Sequence, residues 1–229
     1  MAVMQVDRIA DGLWRWTAPH PEWHDDPASP NGGWDRDGAC LYHESPDGIV
    51  LIDPLVPSGE DGERFWRHLD QDVERVGRPP TVVISVDWHG RSADAVRERY
   101  AGTRVLGVST AASCQIDELL EDGLHLPGGC RITLAGPPGE GQMAIVQCPC
   151  HGLLWMSDLV IGDGADGLRR PPASWFDDPG AAYWLEHGLP LLMPHLMELP
   201  IEHLVSAHGP VVSVDARAAL EHALDAPLA

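Results

Sequence analysis

Lysine is absent: all 15 basic side chains are arginine, set against 35 acidic ones, for a formal net charge of −20. A surface of that sign repels phosphate backbones and anionic lipid, so nucleic acid and membranes are excluded as expected partners. Long apolar runs are missing too. Nothing approaches the ~20 residues that span a bilayer. The opening stretch, Met1 to Trp14, has no basic segment followed by an apolar one, so no secretory leader is expected. Cysteine is sparse and odd in number: Cys40, Cys114, Cys130, Cys148 and Cys150. Their spacing is no disulfide scaffold, which points to a reduced, cytoplasmic protein. There is no GxSxG elbow, no HExxH pair, no phosphate-binding glycine loop and no dinucleotide fingerprint, which removes the corresponding enzyme classes.

What is present is the composition of one folded domain. The 229 residues are 44% hydrophobic and 22% charged, enough for a sizeable core and too apolar for disorder. No internal repeat or low-complexity linker divides residues 1–229. Arg8 to Thr17 alternates as a strand entered by a turn. Gly38–His43 and Gly48–Asp53 read as a hairpin about Ser45-Pro-Asp-Gly48. Glu60–Val76 has helical spacing, with Phe65, Leu69 and Val73 on one face. Thr81–Val86 is a buried strand, followed by a helix over Ala93–Tyr100. A strand over Thr103–Val108 and a short helix over Cys114–Glu121 come next. Strands then return at Cys130–Ala135, Met143–Cys148 and Leu153–Ile161. Tyr183–Leu199 reads as helix interrupted at Pro190 and Pro194, Ile201–Ser206 as strand, and Val214–Ala226 as the closing helix. Two groups of strands, each followed by helices, predict a layered α/β (α+β) domain.

Three segments, in order, resemble motifs of the metallo-β-lactamase superfamily. Leu51-Ile-Asp53 resembles its "vlIDp" strand end, Leu154-Trp-Met-Ser-Asp158-Leu its "lftGDl" strand, and Ser206-Ala-His208-Gly-Pro210 its "pGHGp" turn. The correspondence runs from about Val6 to Leu224. It implies a four-layer αββα sandwich. His20-Pro-Glu-Trp23, the Trp-His-x-Arg-Ser run and Gly167–Trp175 further resemble an uncharacterised bacterial subset of that superfamily, which brings no activity with it. β-Lactam hydrolysis is not implied, because one fold hosts many chemistries.

The resemblance also exposes losses. The HxHxDH motif should follow Val86, where the chain reads Asp87-Trp-His89-Gly-Arg91-Ser92. One register keeps only His89; a register shifted by one keeps no ligand. The "pGHt" loop corresponds to Pro138-Gly139-Glu140-Gly141, with glutamate in place of histidine. Asp87, His89, Glu140, Asp158 and His208 are therefore the candidate ligands for a single Zn, Mn or Fe ion. A dinuclear zinc centre is not expected. Arg91 stands in the place of an aspartate ligand, and its guanidinium is expected to bind Asp158 bidentately in place of the second metal. His20 and Trp23, in the first long loop that borders the groove in this fold class, are candidate pocket residues; Trp34, Trp88 and Trp175 also sit in loops, where a cluster around the metal cavity would form an apolar ligand pocket.

Ordinary structural roles stand beside each of these. His89 reads equally as a hydrogen-bonded loop histidine, Glu140 as a solvated acid, and Asp158 and His208 as turn-holding residues. Cys148-Pro-Cys150-His151 sits at a hairpin tip with no second Cys/His pair to complete a tetrahedral set. The functional expectation is a pseudoenzyme or small-molecule-binding protein. The alternative is a mononuclear metal-dependent hydrolase of an ester, thioester or phosphodiester. A protein-interaction module has no specific support, and the sequence specifies no oligomeric state.

Overall fold

The computed structural model describes residues 4–23, 35–139, 141–164, 167–172, 175, 179–198 and 200–226. Its first sheet has seven strands in sequential order. β1 (Gln5–Ala10), β2 (Leu13–Pro19), β3 (Asp37–Ser45) and β4 (Gly48–Ile52) form an antiparallel meander. β5 (Thr81–Ile84), β6 (Arg104–Gly107) and β7 (Glu118–Leu119) extend it in parallel. The second sheet is ordered β13-β10-β9-β8, from β8 (Arg131–Ala135), β9 (Met143–Cys148), β10 (Leu153–Trp155) and β13 (His203–Val205). β11 (Ile161–Asp163) and β12 (Gly167–Arg169) make a small third sheet.

Each layer follows from which side chains its strands bury. Leu41, Ile52, Val83 and Leu106 from the first sheet meet Ile132, Val146, Trp155 and Val205 from the second in one core. The other face of the first sheet packs on α1 (Gly59–Val76) and α2 (Ala93–Arg99) through Leu69, Ala93 and Val96. The other face of the second packs on α3 (Pro179–His187), α4 (Leu189–Leu196) and α5 (Ala216–Asp225) through Leu185, Leu196 and Leu220. The result is the αββα sandwich. β4 reads Gly-Ile-Val-Leu-Ile and is buried throughout because it lies under both a helix layer and the second sheet.

Three elements differ from the sequence reading. Residues 114–121 form no helix; β7 lies there instead. Backbone bonds from Asp117 N to Val105 O and from Leu120 N to Gly107 O draw the segment onto the sheet edge. Leu153–Ile161 is not one strand. It leaves the sheet after Trp155, and Ser157 turns with φ 50 before β11 begins. The predicted Tyr183–Leu199 helix starts earlier and is divided into α3 and α4 at Gly188, before Pro190. No described helix is long and apolar enough to cross a membrane.

Candidate functional site

The carboxyl ends of β4, β5, β10 and β13 converge where the two sheets meet, and the buried polar residues Asp53, Ser85, His89, Ser157, Asp158 and His208 collect there. The sheets are tied together by Ala144 N to Ser85 O at 2.7 Å and Ala39 N to Ala207 O at 2.8 Å. Just past β4, Asp53 is fully buried. Its Oδ1 accepts the Ser85 amide at 2.7 Å, and its Oδ2 accepts the Ser85 hydroxyl and faces His89 Nδ1 at 2.8 Å. The Ser157 hydroxyl lies 2.7 Å from that of Ser85. With Nδ1–H directed at Asp53, His89 presents Nε2 to Asp158 Oδ2 at 3.3 Å. The indole N–H of Trp88 donates to the same oxygen at 2.9 Å.

His208 completes the group. Its Nε2 lies 3.7 Å from Asp158 Oδ1. The turn that carries it needs Gly209: φ is +89, and a Cβ there would meet Gly162 Cα at 2.5 Å. The buried Arg15 guanidinium donates to the Gly209 carbonyl and holds the turn from the first sheet. Ligand atoms of His89, Asp158 and His208 all lie within 4.8 Å of one another. The three residues are 2%, 3% and 5% exposed, so their ligand atoms are closed off from bulk solvent.

The electrostatics are set by this crowding. Burial alone would raise the Asp158 carboxyl, but the charge and hydrogen bond of His89, with His208 and Trp88, hold it well below its ordinary value. Burial and Arg91 push His89 down; Asp158 and Asp53 outweigh them and leave it raised. Burial dominates at His208, which falls to about 4 despite Asp158. An imidazole kept neutral is ready to act as a ligand at neutral pH.

The expected Arg91–Asp158 pair is not formed. Arg91 has φ 33 and directs Nη1 to the carbonyls of Ala39 and Asp53, at 3.3 and 3.5 Å, against Gly38. Trp88, His89 and His208 surround Asp158 instead, and Arg91 acts on the site through its field alone. Ser92 is committed elsewhere: its hydroxyl accepts Val56 N at 2.9 Å.

Asp87 is buried but is not brought into the ligand group. Residues 87–89 form a single 3₁₀ turn, in which positions two apart point in different directions. Glu140 and Trp34 lie outside the described residues. His20 donates its amide to Arg36 O at 2.8 Å. Burial, then Arg91, His89 and His208, depress its pKa to about 4. Trp23 lines a neighbouring cleft of about 780 Å³ with Arg15, Asp35, Gly209 and Pro210. Trp175 stands edge-on to His208, centroids 5.7 Å apart.

Sequence reasoning missed Asp53, Ser85 and Ser157 as parts of the site. Asp53 ends the first motif, and Ser85 is the polar interruption near the end of an apolar strand run. Those were the available signals.

No protein-family model and no curated protein matches the sequence. Solved structures match its fold. A metallo-β-lactamase from Pontibacter korlensis aligns with TM-score 0.67 at 17% identity, over 97% of this chain and 97% of that one. FIM-1 from Pseudomonas aeruginosa, in a mono-zinc form, gives 0.66 at 12% identity over 97% and 95%. The DIM-1 metallo-β-lactamase gives 0.70 at 11% over 98% and 97%. The chain has the metallo-β-lactamase fold.

Proposed function

We propose that this protein is a mononuclear metal-dependent hydrolase of a small ester, thioester or phosphodiester. The observation that carries this reading is the convergence of His89, Asp158 and His208 within 4.8 Å. The donor set fits an ion. Among the described residues Asp158 Oδ1 is buried and accepts no hydrogen bond, and the His208 nitrogen facing it at 3.7 Å is too far to donate one. A buried carboxylate oxygen left without a donor is costly; a shared cation would satisfy it. The Asp53–His89 contact is the carboxylate–histidine arrangement that orients a metal ligand. Two imidazoles and one carboxylate suit Zn²⁺, Mn²⁺ or Fe²⁺, and FIM-1 has a mono-zinc form on this fold.

A bound ion would supply Lewis acidity toward a carbonyl or phosphoryl oxygen. The chain's own residues supply the rest. Asp53 fixes the His89 ring, and Arg91 places a fixed positive charge near the site where an acidic ligand is expected from the family motif. Trp88, 43% exposed, covers Asp158 and limits the entry of water and substrate.

A second reading rests on Trp88. Its N–H, with His89 between two carboxylates, gives Asp158 partners without a metal, as a pseudoenzyme that binds a small molecule would need. The test is a substrate screen of chelated protein reloaded separately with zinc, manganese and iron. Turnover of one ester class that appears on reloading, and is lost in Asp158→Ala with His208→Ala, supports the hydrolase. No turnover with any ion, beside ligand-induced thermal stabilisation of the chelated protein, supports the binding protein.

A further inference from the structure

The Cys148-Pro-Cys150-His151 motif does not stand alone at its hairpin tip. β3 brings His43 to it, and the start of β8 brings Cys130. His43 is 1% exposed, and Cys130 and Cys148 are fully buried. Cys130 and Cys148 lie one position beyond the Arg131↔Gln147 pair, directly across the ladder. Ligand atoms of His43, Cys130 and Cys148 all lie within 4.8 Å of one another. A second set, His43, Cys150 and His151, meets the same condition on the solvent side. One imidazole serves both: Nδ1 is 3.6 Å from Cys130 Sγ, and Nε2 is 3.8 Å from Cys150 Sγ.

We propose that Cys130, Cys148 and His43 form a thiolate–imidazole site for one soft metal ion of the zinc class, separate from the carboxylate site. Tetrahedral zinc has bonds of about 2.3 Å to sulfur and about 2.0–2.1 Å to nitrogen, which place those two ligands about 3.6 Å apart. The observed Cys130–His43 separation is that edge. Two thiolates and a neutral imidazole balance a divalent charge in an otherwise apolar interior. The ring is also held in place: Gly128 has φ +75, and a Cβ there would sit 2.2 Å from His43 Cε1. Exposed Cys150 and half-buried His151 give an ion a donor-lined path from solvent.

Cobalt(II) tests this in the reduced, chelator-treated wild-type protein, because thiolate-to-cobalt charge transfer absorbs in the near-ultraviolet and the carboxylate site contains no sulfur. One equivalent of the band is expected. It should be lost in Cys130→Ser with Cys148→Ser, kept in Cys150→Ser, and kept in Asp158→Ala with His208→Ala. Should the buried double variant fail to fold, X-ray absorption of the zinc-loaded wild-type protein still decides, with two sulfur ligands expected at one of the bound ions. Absence of the band, zinc bound only by nitrogen and oxygen, or a Cys130–Cys148 disulfide that re-forms in preference to metal would overturn the proposal.

Discussion

The two ends of the sandwich hold opposite chemistry on the same strands. β4 carries Val50, paired with His43, at its middle and leads to Asp53 just past its carboxyl end. β10 begins at Leu153, paired with Cys148, and leads to Ser157 and Asp158. At one end the donors are two imidazoles and a carboxylate; at the other they are thiols and an imidazole. The carboxylate end is assembled from strand termini with irregular backbone, including φ 49 at Asp53 and φ 50 at Ser157. The thiol end is built largely from regular strand positions facing one another. The difference predicts hard, exchangeable chemistry at the first end and soft, sulfur-preferring binding at the second.

Losing a ligand should separate the two ends most sharply. Asp158→Ala is expected to weaken zinc binding at the carboxylate site by more than about 100-fold and leave cobalt–thiolate absorption intact. Calorimetry beside absorption reads both. Trp155→Ala should do the reverse and blur the comparison. Its fully buried indole lies in the core between the sheets, and the loss is expected to destabilise the fold by about 3–5 kcal/mol in denaturant unfolding. Asp53→Asn keeps the size of the side chain but weakens the hold on His89. A fall in zinc affinity of about 10–100-fold at the carboxylate site is expected, with none at the thiol end.

A pH titration of the chelated protein should also act on the carboxylate end. His208 stays neutral in the folded protein down to about 4, whereas an ordinary imidazole protonates near 6.5. Between those values the unfolded chain binds the extra proton, so stability falls as pH drops from about 6.5 to about 4. His89, raised by its carboxylates, opposes this: its contribution is present at low pH and lost as pH rises through its folded value. His208→Gln should flatten the acid-side fall in melting temperature; an unchanged slope would assign it to other groups, such as His20. The smallest effect belongs to Trp88→Phe, which removes one hydrogen bond to Asp158 from a part-exposed indole. It should tighten metal binding a few-fold where the indole competes with the ion.

The fold was readable because its strands are short, apolar and separated by turns, and because three motifs occur in the order the superfamily requires. Asp158 and His208 were legible as strand-end and turn residues, but their geometry was not. Whether Arg91 reaches Asp158 depends on a backbone with positive φ that no residue pattern announces. The thiol end was the least legible. Cys130 and Cys150 lie 87 and 107 residues from His43, so only the pairing of β3, β4, β8 and β9 within the sandwich reveals that a half-motif at a hairpin tip has its partners.

The most direct test of the central claim is native mass spectrometry of zinc-loaded Cys130→Ser with Cys148→Ser protein, beside the same protein carrying Asp158→Ala and His208→Ala. One zinc ion in the first, lost in the second, is the predicted result. No zinc in the first, with the fold intact by circular dichroism, would contradict the metal site and leave His89, Asp158 and His208 as a metal-free hydrogen-bonded cluster.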